Sequence, residues 1–84
     1  MLNTSMTATT TKQTMGLVIV SLRESLGISR YALARDADVD YAWLRRFEMG
    51  QSGIRVETLL LLAKGLKVPA ATIVEAMERA LESE

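Results

Sequence analysis

Apolar side chains recur at intervals of three and four near the start of the chain, at Met15, Val18, Leu22 and Leu26. This interval places side chains on one face of a helix, and no segment has the strict alternation that is typical of a strand. The pattern predicts a first helix over residues 14–26. Gly27 follows at a position where a helix commonly ends.

Two short helices are predicted next, and each begins after a residue whose side chain can cap it. Ser29 precedes residues 30–37, and Asp40 precedes residues 41–49, which Gly50 ends. Serine and aspartate are favoured at such positions because their oxygen atoms accept hydrogen bonds from the free amides of the first helical turn. The buried side of the earlier helix is predicted to hold Leu33, Ala34 and Ala37.

The second half of the chain predicts two further helices. The stretch VETLLLLAKGL, residues 56–66, has the leucine density of a helix largely enclosed by others, and QSGIR before it is predicted to be a loop. Pro69 suits the first turn of a fifth helix over residues 70–82. The apolar stripe of that helix is predicted to contain Ile73, Ala76, Met77, Ala80 and Leu81.

A length of 84 residues allows one small domain, which we expect at residues 14–84. Residues 1–13 are rich in threonine and lack the order of basic and apolar residues of a secretory signal, so we expect a flexible tail. No apolar run approaches the roughly 18 residues needed to span a bilayer. We therefore predict an all-α, cytoplasmic protein that does not interact with membranes.

The chain contains no cysteine and no histidine. Their absence removes disulfides, thiolate metal sites, cysteine nucleophiles and the most common general base. The sequence also has no glycine-rich loop of the kind that cradles phosphate. We expect neither enzymatic activity nor a metal, a cofactor or a small-molecule ligand.

Charge is unevenly distributed, although the formal net charge is zero. Residues 1–68 contain nine Lys and Arg against six Asp and Glu, whereas residues 69–84 contain one arginine against four glutamates. The first part therefore carries +3 and the second −3. Such a molecule can present its basic part to a polyanion, although solvated helices also scatter charge in this way.

The predicted third helix has two different faces. At about 100° per residue, Trp43, Leu44 and Phe47 fall on one side. The other side presents Tyr41, Ala42, Arg45, Arg46 and Met49. Guanidinium groups can donate two hydrogen bonds to guanine or to phosphate, and a helix fits the major groove of B-DNA. A solvated arginine pair is the alternative explanation.

Two helices joined by a short turn, with the second able to enter a groove, form the helix-turn-helix arrangement. The stretches LRESLGISRYALARDADVDYAWLRRFEMG and ETLLLLAKGLKVPAATI carry the resemblance to a known family. From about residue 17 to residue 74, the chain resembles the Cro and phage-repressor type of helix-turn-helix protein. This resemblance implies a five-helix DNA-binding domain.

The resemblance also implies roles for individual residues. Arg23 and Glu48 occupy positions that form a structural ion pair in many relatives. Base contacts are implied for Tyr41, Ala42, Arg45 and Arg46. Contacts with the DNA backbone are implied for Arg30, Trp43, Ser52, Gly53 and Arg55. For Trp43, the indole N–H could donate to a phosphate, or the ring could belong to the core alone.

The chain departs from the family pattern at two positions. Asp38 stands where the turn usually has glycine, and Lys67 stands where glycine often ends the fourth helix. Both positions commonly need a left-handed backbone, which aspartate tolerates better than lysine.

Relatives usually bind inverted repeats as dimers, with half-sites about one helical turn apart. Apolar residues at the fifth helix are the expected dimer interface, namely Val74, Met77, Ala80 and Leu81. A frayed C-terminus is the alternative for this helix. We expect a homodimeric transcriptional regulator, most simply a repressor of plasmid, phage, restriction-modification or chromosomal genes. The alternative is an antitoxin, which masks a toxin and binds DNA secondarily.

Overall fold

A computed structural model describes residues 10–83, in which five α-helices follow one another without an intervening strand. They are α1 Thr11–Ser25, α2 Arg30–Ala37, α3 Tyr41–Glu48, α4 Val56–Leu66 and α5 Ala70–Glu82. The predicted all-α, five-helix architecture is confirmed. Of the helices within residues 10–83, none has the length and apolar character that crossing a bilayer requires.

Helix α1 begins three residues earlier than its apolar pattern predicts. Thr10 Oγ1 accepts a hydrogen bond from the Gln13 amide at 3.1 Å, and Gln13 Oε1 accepts one from the Thr10 amide at 2.8 Å. This reciprocal capping box satisfies two amides of the first turn and starts the helix before its first apolar residue. The expected tail was therefore wrong for residues 11–13, and residues 1–9 lie outside the described part of the chain.

The predicted caps of α2 and α3 are confirmed. Ser29 Oγ accepts from the Ala32 amide at 3.0 Å, and Asp40 Oδ2 accepts from the Trp43 amide at 2.9 Å. At the other ends of α2 and α4, Asp38 and Lys67 have φ angles of 58° and 62°. Both residues thus adopt the left-handed conformation for which the family uses glycine, at a cost of about 1 kcal/mol each.

The core lies where all five helices meet. Its largest fully buried side chains are Ile19, Leu33, Leu44, Phe47, Leu62 and Ile73. Helix α1 packs against both α3 and α5, and α2 packs mainly against α4. Because α1 has two neighbours, its buried face differs from the predicted stripe: Leu26 is 47% exposed, whereas Ile19 is fully buried.

Two glycines allow these helices to approach one another closely. A Cβ atom on Gly16 of α1 would lie 2.3 Å from the carbonyl oxygen of Phe47 in α3. A Cβ atom on Gly65 of α4 would lie 2.9 Å from Ala37 Cβ and from Leu33 Cδ1 in α2. Both distances are shorter than van der Waals contact, so main-chain atoms at Gly16, and mostly side-chain atoms at Gly65, already occupy the space that a Cβ atom would need.

Candidate nucleic-acid interface

The two faces of α3 are separated as the helical wheel predicts. Leu44 and Phe47 are buried, and Trp43 is half-buried against the core. The opposite face is exposed and contains Tyr41, Ala42, Arg45 and Arg46. The helix is therefore fixed from behind, while its cationic side projects into solvent.

The turn before α3 fixes this helix relative to α2. The Val39 amide donates to the Ala34 carbonyl at 3.0 Å, and the Asp38 amide donates to the Arg35 carbonyl at 3.3 Å. These bonds satisfy carbonyls at the end of α2 and reverse the chain at Asp38. The short connection brings the N-terminus of α2 and the exposed side of α3 into one molecular face.

A buried ion pair joins the end of α3 to α1. Arg23 Nε and Nη2 donate to the two carboxylate oxygens of Glu48 at 2.7 and 2.9 Å, and Arg23 Nη1 donates to the Ile28 carbonyl at 3.3 Å. The paired carboxylate raises the pKa of Arg23 above its ordinary value. The geometry is that of a bidentate, charge-assisted contact between two elements of the scaffold.

Arg30 is a third member of this cluster, and the sequence reasoning missed it. Its Nε donates to Glu48 Oε1 at 2.8 Å, so one carboxylate is shared by two guanidinium groups. Hydrogen bonds to Glu48 and then to Tyr41 raise the pKa of Arg30. The phosphate contact expected for Arg30 must therefore be made by those guanidinium N–H groups that these internal bonds do not use.

Trp43 connects α3 to the loop that follows it. Its ring stacks on Phe47 with centroids 5.3 Å apart and an interplanar angle of 11°. The indole Nε1 donates to Ser52 Oγ at 3.2 Å, and Ser52 Oγ donates to the Gly53 carbonyl at 3.0 Å. The indole N–H, for which a phosphate acceptor and a role in the core alone were the alternatives, has an internal acceptor, and this hydrogen bond joins α3 to the loop.

The exposed charges around α3 are mixed. Arg45, Arg46 and Arg55 are exposed cations, while Asp38 and Asp40 place carboxylates beside the start of the helix. The Asp40 carboxylate is engaged with the first turn of α3. Within residues 10–83, every buried side-chain nitrogen or oxygen has a hydrogen-bond partner, so the exposed groups are the ones that remain for a ligand.

The four residues expected at a dimer interface have different environments. Met77 is only 6% exposed and belongs to the core of the monomer, but it also lines the groove between α4 and α5, so its assignment to an interface stays a prediction. Val74 is exposed, whereas Ala80 and Leu81 are half-buried. The apolar stripe of α5 is shared between the core and the surface because α1 and α4 cover one side of it.

Val74 and Leu81 line a groove of about 300 Å³ between α4 and α5, together with Ile54, Val56 and Leu59. Val56 is 70% exposed, and Leu60, one turn further along α4, is 54% exposed. We call the surface formed by Val56, Leu60, Val74 and Leu81 the α4–α5 apolar surface. The sequence reasoning missed the α4 half of it because the leucine-rich helix was expected to be largely enclosed.

Comparison with known proteins gives the same architecture. The family described as helix-turn-helix matches residues 19–81, and a search of the curated proteins found no significant match. The wild-type restriction-modification controller protein C.Esp1396I has a TM-score of 0.81 at 19% identity, covering 92% of this chain and 100% of that chain. A tetramer of C.Esp1396I in complex with its natural 35 base-pair operator has a TM-score of 0.79 at 20% identity, covering 88% and 97%.

The clp gene regulator ClgR from C. glutamicum has a TM-score of 0.78 at 19% identity, covering 88% of this chain and 96% of that chain. At these identities the likeness concerns the fold, and the assignment to a family comes from the sequence match. Because the matched residues 19–81 make up most of the chain, the protein belongs to the helix-turn-helix family of the Cro and phage-repressor type.

Proposed function

We propose that the protein is a sequence-specific transcriptional regulator that binds double-stranded DNA by inserting α3 into the major groove. One observation carries this proposal: the cationic face of α3 projects outward while Leu44 and Phe47 fix the helix from behind. A helix held in this way presents its side chains to base edges without a large loss of entropy on binding.

The dimensions and chemistry of α3 fit the groove. An α-helix with its side chains is about 10–12 Å across, and the major groove is about 12 Å wide. Arg45 and Arg46 can donate paired hydrogen bonds to guanine, and Tyr41 can donate or accept through its hydroxyl. Ala42 lets the helix approach the bases, since its side chain is short.

The loop after α3 is proposed to follow the sugar-phosphate backbone. The Gly53 main chain and the Arg55 side chain are exposed there. Trp43 and Ser52 contribute by holding the loop rather than by contacting phosphate with the indole N–H. Contacts of this kind set the register of α3 in the groove, whereas base contacts supply the sequence preference.

We further propose that two copies associate through the α4–α5 apolar surface. Val56 of α4 and Val74 and Leu81 of α5 line one groove there, and the exposed Leu60 follows Val56 by one turn of α4. Apolar surfaces of this kind on small domains commonly mark interfaces. A symmetric dimer would read an inverted repeat with half-sites about 10 base pairs apart. A dimer bound over a promoter would exclude polymerase, so repression is the simplest outcome.

Selection from a pool of random-sequence duplexes tests this function directly. The full chain is expected to enrich an inverted repeat, and the double variant Arg45→Ala/Arg46→Ala is expected to abolish the enrichment. Arg35→Ala is the matched control because Arg35 is an exposed arginine of α2 whose Nε is bound to Asp36 at 2.9 Å. If selection with the wild-type protein enriched no sequence, the proposal would be contradicted.

A further inference from the structure

We propose that Glu48 is a positioning residue for DNA binding, because its buried carboxylate holds Arg30 where the guanidinium can bind a backbone phosphate beside α3. This role rests on the proposed function, since it concerns how the same interface binds the sugar-phosphate backbone. The sequence resemblance implies a phosphate contact for Arg30 and a structural pairing of Glu48 with Arg23. The phosphate contact of Arg30 then depends on a carboxylate that does not itself touch DNA.

The carboxylate of Glu48 binds one nitrogen of the Arg30 guanidinium. Arg30 Nε donates to Glu48 Oε1 at 2.8 Å, and the Arg30 side chain is 29% exposed whereas that of Glu48 is 1% exposed. This bond uses Nε, and arginine carries its other N–H donors on the two terminal nitrogens. A guanidinium held in this way can bind a second acceptor on its solvent side without leaving the first.

Glu48 is itself fixed, so it can hold Arg30 in one position. Arg23 Nε and Nη2 donate to the two carboxylate oxygens of Glu48 at 2.7 and 2.9 Å. A bidentate contact of this kind restricts the orientation of a carboxylate. Arg30, the first residue of α2, is thereby joined to the last residue of α3. A phosphate bound by Arg30 would lie at a set distance from α3, and backbone contacts of this kind fix the register of a helix in the groove.

The cluster of Arg23, Arg30 and Glu48 has an excess of positive charge, since two guanidinium groups share one carboxylate. Arg23 is the more buried of the two cations, and its acceptors are both oxygens of Glu48 and the Ile28 carbonyl. The unbalanced charge therefore lies at Arg30, the member that reaches solvent. An anion at that place would balance the cluster, and phosphate oxygens are favourable acceptors for a guanidinium group.

Removal of the Glu48 carboxylate has two opposite effects on DNA binding. Loss of a negative charge near the interface strengthens the long-range attraction to a polyanion. Loss of the group that holds Arg30 weakens binding, because a free arginine side chain must be ordered when the complex forms. Weaker binding after removal of a negative charge is therefore the result that a positioning role predicts.

The experiment measures the affinity for the selected duplex by fluorescence anisotropy at several salt concentrations. The proteins are wild type, Arg30→Gln, Glu48→Gln and the double variant. We expect Arg30→Gln to weaken binding to all sequences by about fivefold and to lower the slope of log affinity against log salt by about one. Glu48→Gln is expected to weaken binding by about threefold when Arg30 is present, and to have no further effect in the Arg30→Gln background. The same factor in both backgrounds would mean that Glu48 acts only through the scaffold, and would overturn the proposal.

Arg30→Lys decides the question should Glu48→Gln fail to fold. Lysine keeps the charge, but its ammonium group lacks the planar fork with which arginine contacts two partners in fixed directions. We expect Arg30→Lys to bind the duplex as weakly as Arg30→Gln, to within about twofold, because the ammonium group cannot serve both Glu48 and a phosphate in this way. Wild-type affinity of Arg30→Lys would show that the charge alone is sufficient, and would also overturn the proposal.

Arg35→Gln is the control on the same helix, because Arg35 Nε is bound to the exposed carboxylate of Asp36 at 2.9 Å. It should leave the affinity and its salt dependence as in the wild type. Circular dichroism at the assay temperature establishes which variants are folded. If selection with the wild-type protein enriched no sequence, the proposed function would be removed, and this inference with it. If the wild type binds its selected duplex and the folded Arg30 and Glu48 variants bind equally well, only the positioning role is removed.

Discussion

Gly16 of α1 lies directly against the main-chain carbonyl of Phe47 in α3. A Cβ atom at position 16 would be 2.3 Å from that oxygen and 2.9 Å from the carbonyl oxygen of Glu48. Both neighbours are main-chain atoms at the end of α3, the helix that we propose enters the major groove. The close approach of α1 therefore supports the helix from the side opposite to its exposed arginines.

Gly16→Ala is expected to lower the free energy of unfolding by about 1–3 kcal/mol, because α1 or α3 must move to make room. The better helix propensity of alanine offsets only part of this loss. Chemical denaturation measures the change. Gly53→Ala is the control, since a Cβ atom there meets nothing within 4 Å. Equal stability of the two variants would show that α1 and α3 do not approach as described.

Glu48→Gln is expected to cost about 3–5 kcal/mol of unfolding free energy, because two arginines then share no carboxylate. Arg23→Met is expected to cost less, since Arg30 still neutralises Glu48 at 2.8 Å. Urea denaturation of both variants gives the comparison. Asp36→Asn, which breaks the exposed pair with Arg35, should change the free energy of unfolding by too little to measure. A larger loss for Arg23→Met than for Glu48→Gln would contradict the sharing of the carboxylate.

Arg46→Ala is expected to weaken binding to the selected duplex by about 1–3 kcal/mol and to relax preference at one base pair. The reason is the loss of a guanidinium that projects from the exposed side of α3. Fluorescence anisotropy of a labelled duplex measures the affinity. Arg79→Ala in α5 is the control for loss of charge alone. Unchanged affinity of the Arg46 variant would remove this residue from the interface.

Leu60→Glu and Val74→Glu are each expected to convert the protein to a monomer of 9.3 kDa. Both residues are exposed and belong to the α4–α5 apolar surface, where a carboxylate would be desolvated between two copies. Sedimentation equilibrium gives the mass. Leu26→Glu is the control because Leu26 is an exposed leucine at the end of α1. Dimers that persist in both surface variants would place the interface elsewhere.

Ser52→Ala is expected to cost about 0.5–1.5 kcal/mol of unfolding free energy, because the Trp43 indole N–H loses its acceptor. Trp43 is the only tryptophan, so its emission reports on this site alone. Water reaching the N–H should shift the emission to longer wavelength. Ser21→Ala on α1 should leave the spectrum unchanged. An unshifted spectrum for the Ser52 variant would mean that the bond does not hold the loop.

Much of the fold could be predicted from the sequence because its signals are local. Ser29 and Asp40 cap the helices that follow them, and the spacing of Leu44 and Phe47 separates the buried side of α3 from the exposed one. Helix α1 starts earlier than predicted because the polar capping pair Thr10 and Gln13 precedes the first residue of its apolar spacing. That signal was present in the sequence, as the pattern T-x-x-Q.

The sequence by itself determined the five helices, the side-chain caps of α1, α2 and α3, and the outward face of α3, since hydrogen bonds within a turn and helical periodicity depend on residues at most four apart. Only the tertiary structure decided that Arg30 joins Glu48, 18 residues away, that Met77 belongs to the core and that Leu60 is exposed. Those outcomes depend on how the helices cross, because packing decides which of several apolar or charged residues on a helix meets a partner. Helical spacing alone specifies a face but not the neighbour that covers it.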